Sequence, residues 1–409
     1  MRGSERGGVR LSCRCFRQTV LPWFRAAAAT DSGHMANFSG LWPHAKLVRL
    51  VRLRSEKLED FGHGPPLAEE SGDPTFAIVV PCYNYARFLQ AAVNSVLSQD
   101  VRLKLLIVDD HSSDETERVG RDIAEGDGRV VFIRHRENKG HIHTYNEGIE
   151  WAEGELFSIL SADDLLAPGA LKRAARFMMR DPRLGMMYGR ALYFDGDASD
   201  EAISTINASD QSKEDNEDDI CILDAETFYQ MNIDANIVQA CSVVTRTSLQ
   251  KQLGGYCPEL PHAGDYEMWL RFAAHALVGY VPRFQVASRM HPRNMSKSYD
   301  LANDIRQRLC ALDVLSKTCA DLLPDSYSAL RTRLAKQALH ATWRSNAAGN
   351  LSEARSLIAM ANQLDPTLRS NIISMKCEIS HIIGPNIWNK VREIKKYSSS
   401  KIFNTDNTP

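Results

Sequence analysis

Between Phe76 and Leu160, short apolar segments alternate with amphipathic ones, and that alternation leaves few folds open. Phe76-Ala77-Ile78-Val79-Val80 is unbroken apolar, rich in β-branched residues and closed by Pro81, the pattern of a strand covered on both faces. Ala86 to Ser98 then sets Leu89, Val93, Val96 and Leu97 on one stripe of a helix. Leu103–Val108, Val130–Arg134 and Leu156–Leu160 read as further strands, with helices over Thr116–Glu125 and His143–Ala152 between them. Such repetition predicts an α/β fold, a doubly wound and mostly parallel sheet with helices on both faces.

A sheet of this kind binds its ligands outside the carboxyl ends of the strands. The polar clusters of the sequence fall there. Pro81-Cys82-Tyr83-Asn84 follows the first strand, Asp109-Asp110-His111-Ser112-Ser113-Asp114 the second, and Ser161-Ala162-Asp163-Asp164 the fourth. Together they suit a cation and a planar ring. No GxGxxG follows the first strand and no GxxxxGK[ST] occurs, which argues against a dinucleotide cofactor and a P-loop triphosphatase. Phosphates bound without a glycine-rich loop need another positive charge. Carboxylates at strand ends supply it by holding a hard, oxygen-preferring cation, Mg²⁺ or Mn²⁺.

The ordered set of motifs resembles the inverting family-2 glycosyltransferases. It comprises Ile78-Val79-Val80-Pro81-Cys82-Tyr83-Asn84, Ser95-Val96-Leu97-Ser98-Gln99, Leu106-Ile107-Val108-Asp109-Asp110-His111-Ser112-Ser113-Asp114, Asn146-Glu147-Gly148, Ala152-Glu153-Gly154-Glu155 and Ser161-Ala162-Asp163-Asp164. The resemblance implies a GT-A fold and a nucleotide-diphosphate sugar donor. By position, Pro81, Tyr83, Asn84 and Asp110 would line the nucleotide pocket, with uridine the favoured base because a carboxylate can accept its imide N–H. Asp164 would ligate Mn²⁺ or Mg²⁺, and Asp163 would contact the ribose or a bound water. Many relatives carry an acid where this chain has Ser161, so a third carboxylate at the metal is not implied. The competing reading of Asp163-Asp164 is a helix cap ahead of Leu165-Leu166-Ala167-Pro168-Gly169.

Gly254-Gly255-Tyr256 and Gly264-Asp265-Tyr266-Glu267-Met268-Trp269-Leu270-Arg271 are similar to the family's acceptor side. That likeness aligns Asp265 with the general base. On a helix, Asp265 and Trp269 share a face, so carboxylate and indole can meet one substrate. The alternative is an N-terminal helix acid with Trp269 in the core, and Glu267 is the fallback base. Arg289-Met290-His291-Pro292-Arg293-Asn294-Met295-Ser296 looks like the closing motif. There His291 would reach the metal or diphosphate, and Arg289 and Arg293 would neutralise the departing diphosphate. The implied reaction is one in-line displacement with inversion. A non-catalytic GT-A-like scaffold acting through its helical C-terminal region is the alternative.

The rest of the chain frames this core. Length suggests two or three domains: a basic leader and connector over 1–74, the glycosyltransferase domain over 75–300, a helical region over 301–377 and a tail over 378–409. Within 75–300, a nucleotide-sugar half (75–195) and an acceptor half (223–300) flank an acidic loop (196–222), read as mobile and surface-exposed. Ala329–Ser345 and Ser352–Leu364 resemble one tetratricopeptide-type hairpin, which would pack on the core or on a second copy in a homo-oligomer. A formal net charge of −2 disfavours nucleic acid as partner. No apolar run reaches the ~20 residues of a membrane span. The basic stretches Arg2–Arg25 and Lys46–Arg54 leave peripheral membrane contact open beside a bland leader or connector, with Met35 as an alternative start. Nine cysteines without a CxxC pair read as reduced thiols of a cytoplasmic protein. By analogy with the family, the acceptor would be a carbohydrate or lipid-linked saccharide in polysaccharide or glycoconjugate assembly.

Overall fold

The computed structural model describes residues 74–197, 199–211, 220–295 and 301–370. The basic leader, the Lys46–Arg54 stretch, the acidic residues of 212–219 and the tail lie outside them. Six cysteines fall within, and all are free thiols. None of the described helices is long and apolar enough to cross a membrane.

The expected alternation is present. Strands β1 (Thr75–Cys82), β2 (Arg102–Asp109), β3 (Val130–Arg134) and β4 (Leu156–Ile159) alternate with helices α1 (Ala86–Leu97), α2 (Thr116–Gly126) and α3 (His141–Trp151). They pair in parallel in the order β3-β2-β1-β4. Phe76 to Val80 are fully buried, as an apolar run between two helical layers must be. Helix α3 lies so close to β1 that a Cβ on Gly148 would stand 2.6 Å from Val79 Cγ1, so the motif glycine serves helix–sheet contact.

Beyond β4 the direction changes. Strand β5 (Leu165–Leu166), helix α4 (Ala170–Arg180) and strand β6 (Leu184–Asp195) precede helix α5 (Ser199–Gln211). Strand β7 (Cys221–Leu223) leads into α6 (Ala225–Met231), whose N-cap Asp224 accepts a bond from Thr227 N at 2.8 Å. Strand β8 (Val244–Arg246), helix α7 (Thr247–Leu253), helix α8 (Gly264–His275) and strand β9 (Leu277–Met290) complete the sheet region. The sheet path continues β4-β8-β6-β9-β5. Strand β8 runs antiparallel between β4 and β6, β6 and β9 are parallel, and β5 is antiparallel to β9. The last pairing sets Leu165 opposite Ala287, which brings the residues just before β5 against the end of β9.

Residues 199–211 differ from the expected loop. They form α5 because Ala202 and Ile206 bury against Phe194, Phe284 and Ala287, and Asp200 and Glu201 favour the positive end of the helix dipole.

Helices α9 (Leu301–Thr318), α10 (Ser326–Ala347) and α11 (Leu351–Leu364) make the all-helical C-terminal region. Leu312, Leu315, Leu330, Leu334, Ala338 and Leu357 share one hydrophobic core with Met268, Leu270 and Phe272 of α8. Ser326 N reaches Glu226 Oε2 at 2.9 Å, Arg308 stacks over the Tyr266 ring at 5.1 Å, and Arg333 pairs with Asp234. The α10–α11 hairpin is thus integral to the packing behind α8, the helix that carries the expected base.

Candidate active site

The ends of β1 and β2 form a linked pair of loops. Asn84 and His111 adopt left-handed φ of 58° and 63°, the kind of backbone outlier that concentrates at functional sites. Asn84 Oδ1 accepts Ser113 N at 2.8 Å, and Asn84 N donates to Ser112 Oγ at 2.9 Å. The ring of Tyr83 stands in solvent, 49 % exposed, beside half-buried Pro81. A large aromatic face left open at a strand end is a stacking surface for a planar ring.

Asp110 is buried, and its carboxylate is already engaged. Oδ1 meets His135 Nδ1 at 2.7 Å and Lys139 N at 2.8 Å, and Oδ2 takes Gly140 N at 2.8 Å. A carboxylate offers about four lone-pair sites, so one on Oδ2 is left without a donor among these partners. Asp109 faces away, tied to Ser112 N at 2.9 Å and Arg134 Nη1 at 3.1 Å.

Asp163 and Asp164 lie between β4 and β5. They do not cap a helix: α4 begins at Ala170, after Gly169 in a left-handed conformation. They are held by the end of β9, Asp164 through its carboxylate and Asp163 through its carbonyl. Asp164 Oδ1 accepts Arg289 N at 2.9 Å and Oδ2 accepts Ser288 Oγ at 3.2 Å, while Arg289 Nε donates to the Asp163 carbonyl at 2.9 Å. Burial, then the neighbouring Asp163 charge, pushes the Asp164 carboxyl well above the usual carboxylate range. Two buried carboxylates side by side are a donor set that a divalent cation would relieve, and their hard oxygens suit Mg²⁺ or Mn²⁺. At the position where an acid is common in the family, Ser161 Oγ instead accepts from Cys241 Sγ at 3.3 Å.

His291 Nε2 stands 3.0 Å from Asp163 Oδ2, and its Nδ1 accepts Arg293 N at 3.1 Å. Those partners assign the proton to Nε2, so as placed His291 donates to Asp163. Ligating a metal through Nε2 requires a proton on Nδ1 and release of the Arg293 amide. Arg289 is buried between the rings of Phe88 (4.3 Å) and Phe194 (4.6 Å) and bonds the Gly196 carbonyl and Ser199 Oγ. It clamps α5 to the acidic loop between β4 and β5. Arg293 is exposed, and its charge acts on the Tyr85 hydroxyl, which burial and then Asp163 and Asp164 push up to about 12.

Asp265 lies in the first turn of α8, half-buried. Burial raises its carboxyl to about 6, while a bond from the Tyr256 hydroxyl and the charge of His262 act the other way. A cavity of about 30 Å³ runs along Asp265, Trp269, Tyr256, Tyr145, Cys241 and Ser161. Trp269 is 4 % exposed, and its buried Nε1 has no hydrogen-bond partner among the described residues. Glu267 is fully buried and paired with Arg271 at 2.8 Å, whose Nη atoms also bond the Leu253 and Gly255 carbonyls at 2.6 and 2.9 Å. The fallback acid is thereby part of the packing that positions Gly254-Gly255-Tyr256. Asn146 completes that packing, holding Tyr256 N and O at 2.7 and 2.9 Å. Burial raises the Tyr145 hydroxyl well above the usual range, and the charges of Asp265, Asp163 and Asp164 all push it further.

A mostly parallel sheet, extended by an antiparallel β8 and carrying an acidic pair after β4, has the layout of a GT-A-type fold. Residues 77–251 match the family model "Glycosyl transferase family 2". The chain therefore carries a family-2 glycosyltransferase domain, followed by a helical C-terminal region. It is 25 % identical over 228 residues to an uncharacterized glycosyltransferase of Rickettsia typhi, covering 55 % of this chain and 67 % of that one. A 24 % identical match over 233 residues to a second uncharacterized glycosyltransferase, of Rickettsia felis, covers 56 % of this chain but 36 % of that longer protein. Over 100 residues it is 33 % identical to the GalNAc(5)-diNAcBac-PP-undecaprenol beta-1,3-glucosyltransferase of Campylobacter jejuni, covering 24 % of this chain and 32 % of that one. The fold is shared with residues 1–349 of S. aureus TarS, solved in complex with UDP-GlcNAc. The TM-score is 0.54 at 14 % identity, over 78 % of this chain and 92 % of TarS 1–349.

Proposed function

We propose that this glycosyltransferase moves a sugar from a nucleotide-diphosphate donor, a UDP-sugar, to an acceptor hydroxyl with inversion at the anomeric carbon. Pro81, Tyr83 and Asn84 would receive the base and ribose, with the open lone pair of Asp110 accepting the uracil imide N–H. Asp164 would hold Mn²⁺ or Mg²⁺, with Asp163 beside it fixed by His291. That cation, when bound, supplies positive charge against the diphosphate. Arg293, exposed and acting on the same Tyr85 hydroxyl as the acidic pair, would add a second positive group for the leaving diphosphate. Arg289 acts by positioning the acidic pair.

Asp265 is the general base. It removes the proton from the acceptor hydroxyl as that oxygen attacks the face of the sugar opposite the diphosphate. A carboxyl titrating near 6 is largely ionised at neutral pH yet basic enough to take the proton. Trp269 offers its indole wall, and its unpartnered Nε1 a donor, to the acceptor side. The acceptor would be a carbohydrate or lipid-linked saccharide, as in polysaccharide assembly at the cytoplasmic face of a membrane.

The observation that supports this reading is that the charges of Asp163, Asp164 and Asp265 all act on the Tyr145 hydroxyl, and that Tyr145 lines a small cavity with Asp265, Trp269 and Ser161, the residue two before Asp163. The test is release of nucleotide from a panel of UDP- and GDP-sugars with Mn²⁺, Mg²⁺ or chelator. Metal-dependent release of UDP is expected, with NMR of the product showing the opposite anomeric configuration to the donor. A retained configuration, or turnover undiminished by chelator, contradicts the proposal.

A further inference from the structure

Among the described residues, His135, His143 and Glu147 form a group whose ligand atoms all lie within 4.8 Å of one another. His135 follows β3, and His143 and Glu147 sit four residues apart on one face of α3. His135 Nε2 is 2.6 Å from Glu147 Oε2, and His143 Nδ1 is 3.8 Å from the same oxygen. The other nitrogen of His135 is held by the Asp110 carboxylate at 2.7 Å. A carboxylate behind one imidazole nitrogen, with the other aimed at a second donor set, is the arrangement that orients a metal-binding histidine.

Two imidazoles and one carboxylate are a borderline-soft donor set. It suits Zn²⁺ with three protein ligands and an open fourth position, whereas Mg²⁺ and Ca²⁺ prefer oxygens alone. The fourth position is accessible, because His143, Glu147 and Asn146 line a cavity of about 710 Å³ with Lys139 and Gly140. Ligands about 2.0–2.1 Å from zinc in a tetrahedron stand roughly 3.3 Å apart. Glu147 would move away from His135 by less than an ångström, and the wider separations, none above 4.8 Å, would close by up to about 1.5 Å, both on the order of side-chain rotations. With side chains 51 % and 33 % exposed, His143 and Glu147 have the freedom to do so, while His135 is buried and fixed.

We propose that His135, His143 and Glu147 form a zinc site, separate from the hard-cation pair Asp163–Asp164 and independent of whether the chain transfers a sugar. Zinc there ties the loop after β3 to α3. Through Asp110, which also bonds Lys139 N and Gly140 N, it fixes the wall between the two.

The experiment uses the full chain stripped of metal, dialysed against Zn²⁺ with excess Mg²⁺, and counts retained zinc. Co²⁺ substituted into the same protein reports geometry through its visible absorption. One zinc per chain is expected, with a tetrahedral Co²⁺ spectrum and a rise in Tm on zinc addition. H143N and E147Q should each weaken retention at least tenfold, and D110N about 10–100-fold. D164N should retain zinc like the wild type. His143 is largely exposed, so H143N is expected to keep the wild-type circular dichroism. Failure of the wild type to retain zinc, equal retention by H143N and E147Q, or loss of retention in D164N overturns the proposal.

Discussion

Replacing Asp265 with Asn should sharply lower turnover and stabilise the protein at neutral to alkaline pH, and the two effects share a cause. The Asp265 carboxyl is raised from 3.8 to about 6 by burial against Tyr145, Tyr256 and Trp269. A shift of about two units corresponds to about 3 kcal/mol at about 1.4 kcal/mol per unit. The group is half-buried, and discounting for solvent screening leaves about 1–2 kcal/mol. The sign follows from linkage. The folded carboxyl holds its proton more tightly than the unfolded one, so its contribution to stability is complete below pH 3.8. That contribution is lost as pH rises through about 6. At pH 8 the wild type therefore carries a buried charge that D265N lacks. D265N should melt a few degrees higher at pH 8, and the difference should vanish near pH 4. Turnover should fall about 10²–10⁴-fold, the usual contribution of a positioned base. Scanning calorimetry at both pH values, beside nucleotide-release kinetics, reads the whole pattern. Wild-type turnover in D265N, or lost turnover together with a lower Tm at pH 8, would refute the reasoning.

Three further outcomes follow from the same geometry. The kcat/KM of the wild type should fall tenfold per unit below pH about 6, and a profile flat to pH 5 would remove Asp265 from the proton transfer. G148A and G255A should each cost about 1–3 kcal/mol in urea unfolding. Their added Cβ atoms would meet Val79 Cγ1 at 2.6 Å and Asn146 Oδ1 at 2.4 Å, and unchanged midpoints would contradict the close approach. R271M strands the buried Glu267 without its cation and should cost about 3–5 kcal/mol, whereas R271M/E267L should recover part of that loss, the Leu253 and Gly255 carbonyls still lacking their donor.

The periodicity that set out β1 to β4 was legible because those strands are buried on both faces, and an unbroken Val/Ile/Leu run has few other uses. Their ends fall within a residue or two of the expected ones. Helix α5 was less visible: Ala202 and Ile206 make a narrow apolar stripe in an otherwise polar segment, although Asp200 and Glu201 in its first turn were a usable start signal. Local reading did place Asp163, Asp164 and Asp265 at element ends. It did not reach the partners that decide what each side chain does. Arg289 reads in sequence as a free cation near the diphosphate, yet Phe88 and Phe194, far away in the chain, enclose it. The Asp110–His135–Glu147 chain joins three elements, and the four-residue spacing of His143 and Glu147 was its one local trace.

Donor binding measured apart from turnover tests the central claim most directly. Calorimetric titration of UDP-sugar with Mn²⁺ should show D265N binding like the wild type while failing to turn over. D164N should lose the metal-dependent part of the affinity. Metal-dependent donor binding that survives in D164N, or that disappears in D265N, would place the carboxylates in other roles and contradict the account.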